Sequence, residues 1–174
     1  GPHMARIGAK AADIDGPVYI RIGSGREERV FPDGTPFPLG KIRVMADHGD
    51  DVALFAHGFV LNRVLEAARE LRKAGIGAKV VEVATVKPLD RDGVAGILRA
   101  TGSAVTIEDH TVINGLGSAV AEVIAEEVPA RLVRLGLQDV YGESGFPDEL
   151  LDAYGMSVRD IVAAAGKATA AGKR

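Results

Sequence analysis

Beyond residue 40 the chain alternates short apolar runs with amphipathic stretches of helical length, and this alternation constrains the fold more than any other feature. Residues 51–56 (Asp-Val-Ala-Leu-Phe-Ala) form an almost unbroken apolar run, the mark of a strand covered on both faces. In residues 59–74, Val60, Leu61, Val64, Leu65, Ala68 and Leu71 recur on one helical face, and Gly75 stands where a helix ends. Residues 78–83 and 104–108 repeat the strand pattern. Between them Asp90 can cap a helix carrying Val94, Ile97 and Leu98, closed by Gly102. Leu116, Ala119, Val120, Val123 and Ile124 form the stripe of a further helix that ends before Pro129. Residues 131–137 alternate charged and apolar side chains, as in a strand near a sheet edge. Pro147 suits the first turn of a short helix stopping at Gly155. Ser157 with Asp160 predicts a capped final helix, and the tail from Gly166 onward is expected to fray.

Strands alternating with helices mean βαβ units, a mostly parallel sheet and helices on both faces. Residues 41–46 supply one more short strand, whose link to 51–56 is too short for a crossover, so it should run antiparallel. The predicted fold class is α/β: a three-layer α/β/α sandwich over residues 41–170, with a five-stranded, mostly parallel sheet and one antiparallel strand. Aromatic residues are only 5% and Trp is absent, so aliphatic side chains must build the core.

The first 40 residues read differently. Gly1-Pro2-His3-Met4 has the letters of a cloning scar, which removes His3 from functional reasoning. Residues 5–30 hold an Ala-rich helical turn or two, a Gly16-Pro17 break, and a strand over residues 18–22. One helix and one strand cannot close a core, so this head is expected to be the tail of a larger domain. Residues 31–40 contain three Pro and two Gly, the composition of a linker.

Charge and composition narrow the function classes. The net charge of −3 and the lack of any long basic run argue against nucleic acid and anionic membranes. No apolar stretch approaches the length of a membrane span. The absence of cysteine excludes disulfides, thiolate metal sites and a Cys nucleophile; it fits a cytoplasmic location.

Each candidate site has two readings. Gly115-Leu116-Gly117-Ser118 opens a helix after a strand, where backbone amides can hold an anion, or its glycines let the helix pack closely on the sheet. Glu108-Asp109-His110 lies at the carboxyl end of a buried strand, where open parallel sheets bind ligands. A carboxylate beside a His can form an acid–base pair. Neighbours on an extended chain point opposite ways, however, so Asp109 and His110 need not share a pocket. His57, at the end of strand 51–56, either donates to a ligand or packs at the strand end. His48 sits in a turn and is expected to be exposed. Gly142-Glu143-Ser144-Gly145 lacks nucleophile-elbow spacing. No residues have the sequence spacing of metal ligands, so no metal site and no catalytic residue is assigned. Arg21, Ser24 and Arg26, in a glycine-rich run, can bind a phosphate or carboxylate, or begin a solvated linker.

Several segments, in order, resemble one family. Gly16-Pro17-Val18-Tyr19-Ile20-Arg21 looks like the last strand of the pyrimidine-binding domain of transketolases. Gly49 through Gly58, Thr85-Val86-Lys87-Pro88-Leu89-Asp90, Glu108-Asp109-His110 with Gly115 through Val120, and Gly142-Glu143-Ser144-Gly145 with Tyr154-Gly155 are similar to successive parts of their C-terminal domain. The same domain occurs in 1-deoxyxylulose-5-phosphate synthase and in 2-oxo-acid dehydrogenase beta subunits. The Gly-Glu-Ser-Gly segment and Tyr-Gly ending look closest to a split, two-subunit transketolase.

The resemblance implies a C-terminal assembly domain of an enzyme that transfers a two-carbon ketol unit with thiamine diphosphate and Mg2+. It implies a homodimer that works with an N-terminal coenzyme-binding subunit. The chain has no Gly-Asp-Gly motif and lacks the family's coenzyme-activating Glu, so it is expected to be inactive alone and to bind no coenzyme itself. Arg21, Ser24, Arg26, His57 and His110 are the expected substrate contacts. Ser24 stands where family members often carry a phosphate-binding Arg. A Ser supplies no fixed cation, which points away from an ordinary sugar phosphate and toward a lipoyl or acyl carrier. The alternative reading is a dehydrogenase beta-subunit tail that docks an acyl-carrier core, or a plain oligomerisation module.

Overall fold

The computed structural model describes residues 2–23, 29–32, 34–37 and 39–170. In chain order the elements are α1 (Pro2–Ala12), β1 (Arg43–Asp47), β2 (Val52–Ala56), a single 3-10 turn (Gly58–Val60), α2 (Leu61–Lys73), β3 (Ala78–Glu82), α3 (Arg91–Thr101), β4 (Ser103–Thr111), α4 (Leu116–Glu126), β5 (Arg131–Leu137), α5 (Pro147–Ala153) and α6 (Val158–Thr169).

The strands form one five-stranded sheet in the order β1-β3-β2-β4-β5. Four run parallel, and β1 pairs with β3 antiparallel, as the short 41–56 connection requires. The central strand β2 is buried at every position, which is why it reads as an unbroken apolar run. Side chains alternate across it. Val52, Leu54 and Ala56 join a core under α2 and α6 with Leu61, Val64, Leu71 and Ile161. Ala53 and Phe55 join a second core under α3 and α4 with Val94, Leu98, Val120 and Val123. Two dry layers on either side of a parallel sheet make the sandwich.

Helix boundaries follow local chemistry. Asp90 caps α3 by accepting from the Gly93 amide, and Gly102 ends it in the left-handed conformation at φ 61°. Ser157 and Asp160 form a reciprocal capping box on α6. Two expectations fail. Residues 18–22 form no strand and pair with none among the described residues, because β-propensity without a partner makes no ladder. The chain from Gly166 does not fray at once: α6 runs to Thr169, with Ala165 and Ala168 in the core, and Ser103 Oγ donates to the Ala168 carbonyl at 3.2 Å.

Candidate functional site

Strand order decides where a ligand can enter. From β2 the chain leaves through α2 on one face of the sheet, and from β4 it leaves through α4 on the other. The connections diverge at adjacent strands, so a crevice opens at the carboxyl ends of β2 and β4. His57 follows β2, and Glu108, Asp109 and His110 are the β4 residues just before Thr111, where the pairing with β5 shifts register.

Register and alternation assemble the group. Ala56 pairs with Ile107, so His57 and Glu108 come next on adjacent strands. Phe55 points to the α3/α4 side, and two residues on His57 shares that side. Ala104 marks the same side on β4, which puts Glu108 and His110 there and Asp109 opposite. The ligating atoms of His57, Glu108 and His110 consequently lie within 4.8 Å of one another.

Glu108 is fully buried and its charge is answered by backbone. Oε2 accepts from the Leu116 amide at 2.7 Å and Oε1 from the Gly117 amide at 2.9 Å. The anion-binding start of α4 is thus filled by the protein's own carboxylate. Both glycine readings hold together here. A Cβ on Gly115 would collide with Glu108 Oε2, and a Cβ on Gly117 would sit 2.7 Å from Arg134 Cδ and 2.8 Å from Thr106 Oγ1. His110 Nε2 lies 3.1 Å from Glu108 Oε2, with the ring 36% exposed.

His57 is mostly buried. Burial pushes its imidazole down to about 4; the Asp109 charge opposes this, while His110 and Arg21 add to it. It is therefore neutral at physiological pH. Its Nε2 is buried with no hydrogen-bond partner among the described residues, and its ring centroid lies 6.1 Å from that of His110.

On the other side of β4, Arg21 from the head makes a two-pronged ion pair with Asp109, at 2.7 and 2.8 Å. The Asp109 side chain is 5% exposed and that of Arg21 49%. This fork is the strong geometry for a carboxylate, and it fastens residues 18–22 to the crevice. Of the five predicted contacts, His57 and His110 gather at Glu108 on one side of β4, and Arg21 pairs with Asp109 on the other. Ser24 and Arg26 lie outside the described residues. Sequence spacing misses the potential ligand trio, because its members come from two strands joined only by register.

The model of the transketolase C-terminal domain matches residues 40–161. The chain belongs to that family. It is 42% identical over 155 residues to the 6-deoxy-6-sulfo-D-fructose transketolase subunit SqwH of Clostridium sp. (strain MSTE9), covering 89% of this chain and 48% of that protein. It is 36% identical over 166 residues to 1-deoxy-D-xylulose-5-phosphate synthase 1 of Geobacter sulfurreducens, covering 93% of this chain and 25% of that one. A solved chain described as a split gene transketolase, inactive beta4 tetramer, superposes with a TM-score of 0.88 at 47% identity, over 94% of this chain and 54% of that chain. The chain thus spans about half the length of the transketolase subunits it resembles. Among the described residues no helix is long and apolar enough to cross a membrane.

Proposed function

We propose that this chain is the carboxyl-terminal part of a two-subunit, thiamine-diphosphate-dependent transketolase, a cytoplasmic enzyme that moves a two-carbon ketol unit. The observation that carries this reading is the superposition of nearly the whole chain on about half of a split transketolase chain. Residues 5–30 are read as the tail of a pyrimidine-binding domain, 31–40 as its linker and 41–170 as the C-terminal domain. The exposed apolar side chains of the head, Tyr19 at 89% and Ile22 at 65%, support a surface that another domain or subunit covers.

The described residues do not fit the coenzyme. The backbone amides most suited to a diphosphate already hold Glu108, and the sequence has no Gly-Asp-Gly motif. The coenzyme and its Mg2+ are therefore assigned to an N-terminal partner subunit, with this chain as a dimerising support. The relatives give an acyl-carrier or lipoyl partner no support, and that reading is dropped. Ser24 in place of an Arg favours a ketose whose far end is a singly charged sulfonate, the class named by the Clostridium relative, over a phosphate near −2. Calorimetric titration with thiamine diphosphate and Mg2+ tests the assignment. The chain alone should give no saturable heat, and its mixture with the partner subunit should. Saturable binding to the chain alone would contradict it.

A further inference from the structure

We infer that His57, Glu108 and His110 form a binding site for a divalent transition-metal cation of the zinc class. The three supply two imidazoles and one carboxylate, a ligand set suited to Zn2+ or Co2+ rather than to Mg2+ or Ca2+. Their ligating atoms already lie within 4.8 Å of one another. A tetrahedral ion with bonds of about 2.0–2.1 Å needs ligand atoms about 3.4 Å apart, so the widest of these separations closes when the ion binds.

Independent features of the site point the same way. His57 Nε2 is buried without a partner among the described residues, and a buried polar atom left unpaired calls for an occupant. Glu108 is held from behind by the Leu116 and Gly117 amides. Each carboxylate oxygen keeps a further lone pair, and outer hydrogen bonds of this kind orient metal-bound carboxylates. His110 stands at the rim, 36% exposed, and now contacts Glu108 Oε2 at 3.1 Å. Metal binding replaces that contact and turns the ring inward. The group lies at the carboxyl ends of β2 and β4 with the partly exposed His110 on its outer side, and three protein ligands leave a fourth position for water or a ligand oxygen. The site rests on this chain's own residues and does not depend on the transketolase reading.

The test uses the purified full chain, stripped with a chelator and titrated separately with Zn2+ and Co2+. Bound metal is measured after dialysis, and cobalt is followed by its visible d–d absorption. The structure predicts a single equivalent of Zn2+ and an intense tetrahedral-type cobalt spectrum that Zn2+ abolishes. His57→Ala and His110→Asn should each weaken binding about tenfold or more. His3→Ala and His48→Ala should leave it unchanged; the chain has four histidines, so these variants cover all of them. His110 stands at the rim, outside both core clusters, so its substitution should leave the core intact, which circular dichroism verifies. Binding that survives both crevice substitutions, binding lost with His3 or His48, or no Zn2+ affinity below millimolar would overturn the inference.

Discussion

Glu108 shows how much one side chain can settle at the residue scale. It is a fully buried carboxylate whose stability rests on two amides at the start of α4, and Gly115 exists to make room for it. Gly115→Ala should cost about 1–3 kcal/mol by overpacking, read as a lower urea midpoint with an unchanged slope. Glu82 offers a contrast. Burial raises its carboxyl above the ordinary 4.5, only partly offset by Arg43, whose Nε lies 3.5 Å away. Folding therefore favours the protonated form, and between the unfolded and folded values the native state binds more protons. Its contribution is fully present below pH 4.5 and is lost as pH rises through the folded value. The stability of the native chain relative to Glu82→Gln should thus fall as pH rises from 4 toward neutrality; a rise would contradict this. The sequence displays the letters Glu108, His110 and His57, but not the Ala56–Ile107 register that gathers them. Two strands adjacent in space leave no mark of their neighbourhood in one sequence.

At the scale of elements, the central strands β2 and β4 were readable because burial on both faces writes a continuous apolar run, the edge strand β5 from its alternation of charged and apolar residues, and the helix ends because caps are local chemistry. What was not readable depends on tertiary context. Residues 18–22 have strand composition but no ladder, and the Ala-rich end of α6 is held by the core beneath it. Asp90 links both scales: it caps α3, accepts from the Ile42 amide at 3.1 Å and receives Lys41 Nζ at 2.8 Å. Asp90→Ala should cost about 1–2 kcal/mol and loosen the entry to β1, seen as faster amide exchange at Ile42 and Gly93. The Arg21–Asp109 fork should behave as a hinge pin. Arg21→Ala should speed chymotryptic cleavage at the exposed Tyr19 while the amides of β2 and β4 keep their exchange protection. Equal loss of protection across the sheet would show instead that the head is part of the core.

For the whole molecule, an aliphatic sandwich carries at one edge a crevice with an ion-paired head fastened across it. The fold, the family and the half-length match to a split transketolase chain support the proposed reading, in which a partner subunit supplies the coenzyme grip. The most direct measurement is ketol transfer from a ketose donor, with thiamine diphosphate and Mg2+ present, by this chain alone, by its coenzyme-binding partner alone and by the two mixed. Turnover should appear only in the mixture and saturate at equal amounts of the two chains. Turnover by this chain unaided, or a partner whose rate does not change when this chain is added, would contradict the account.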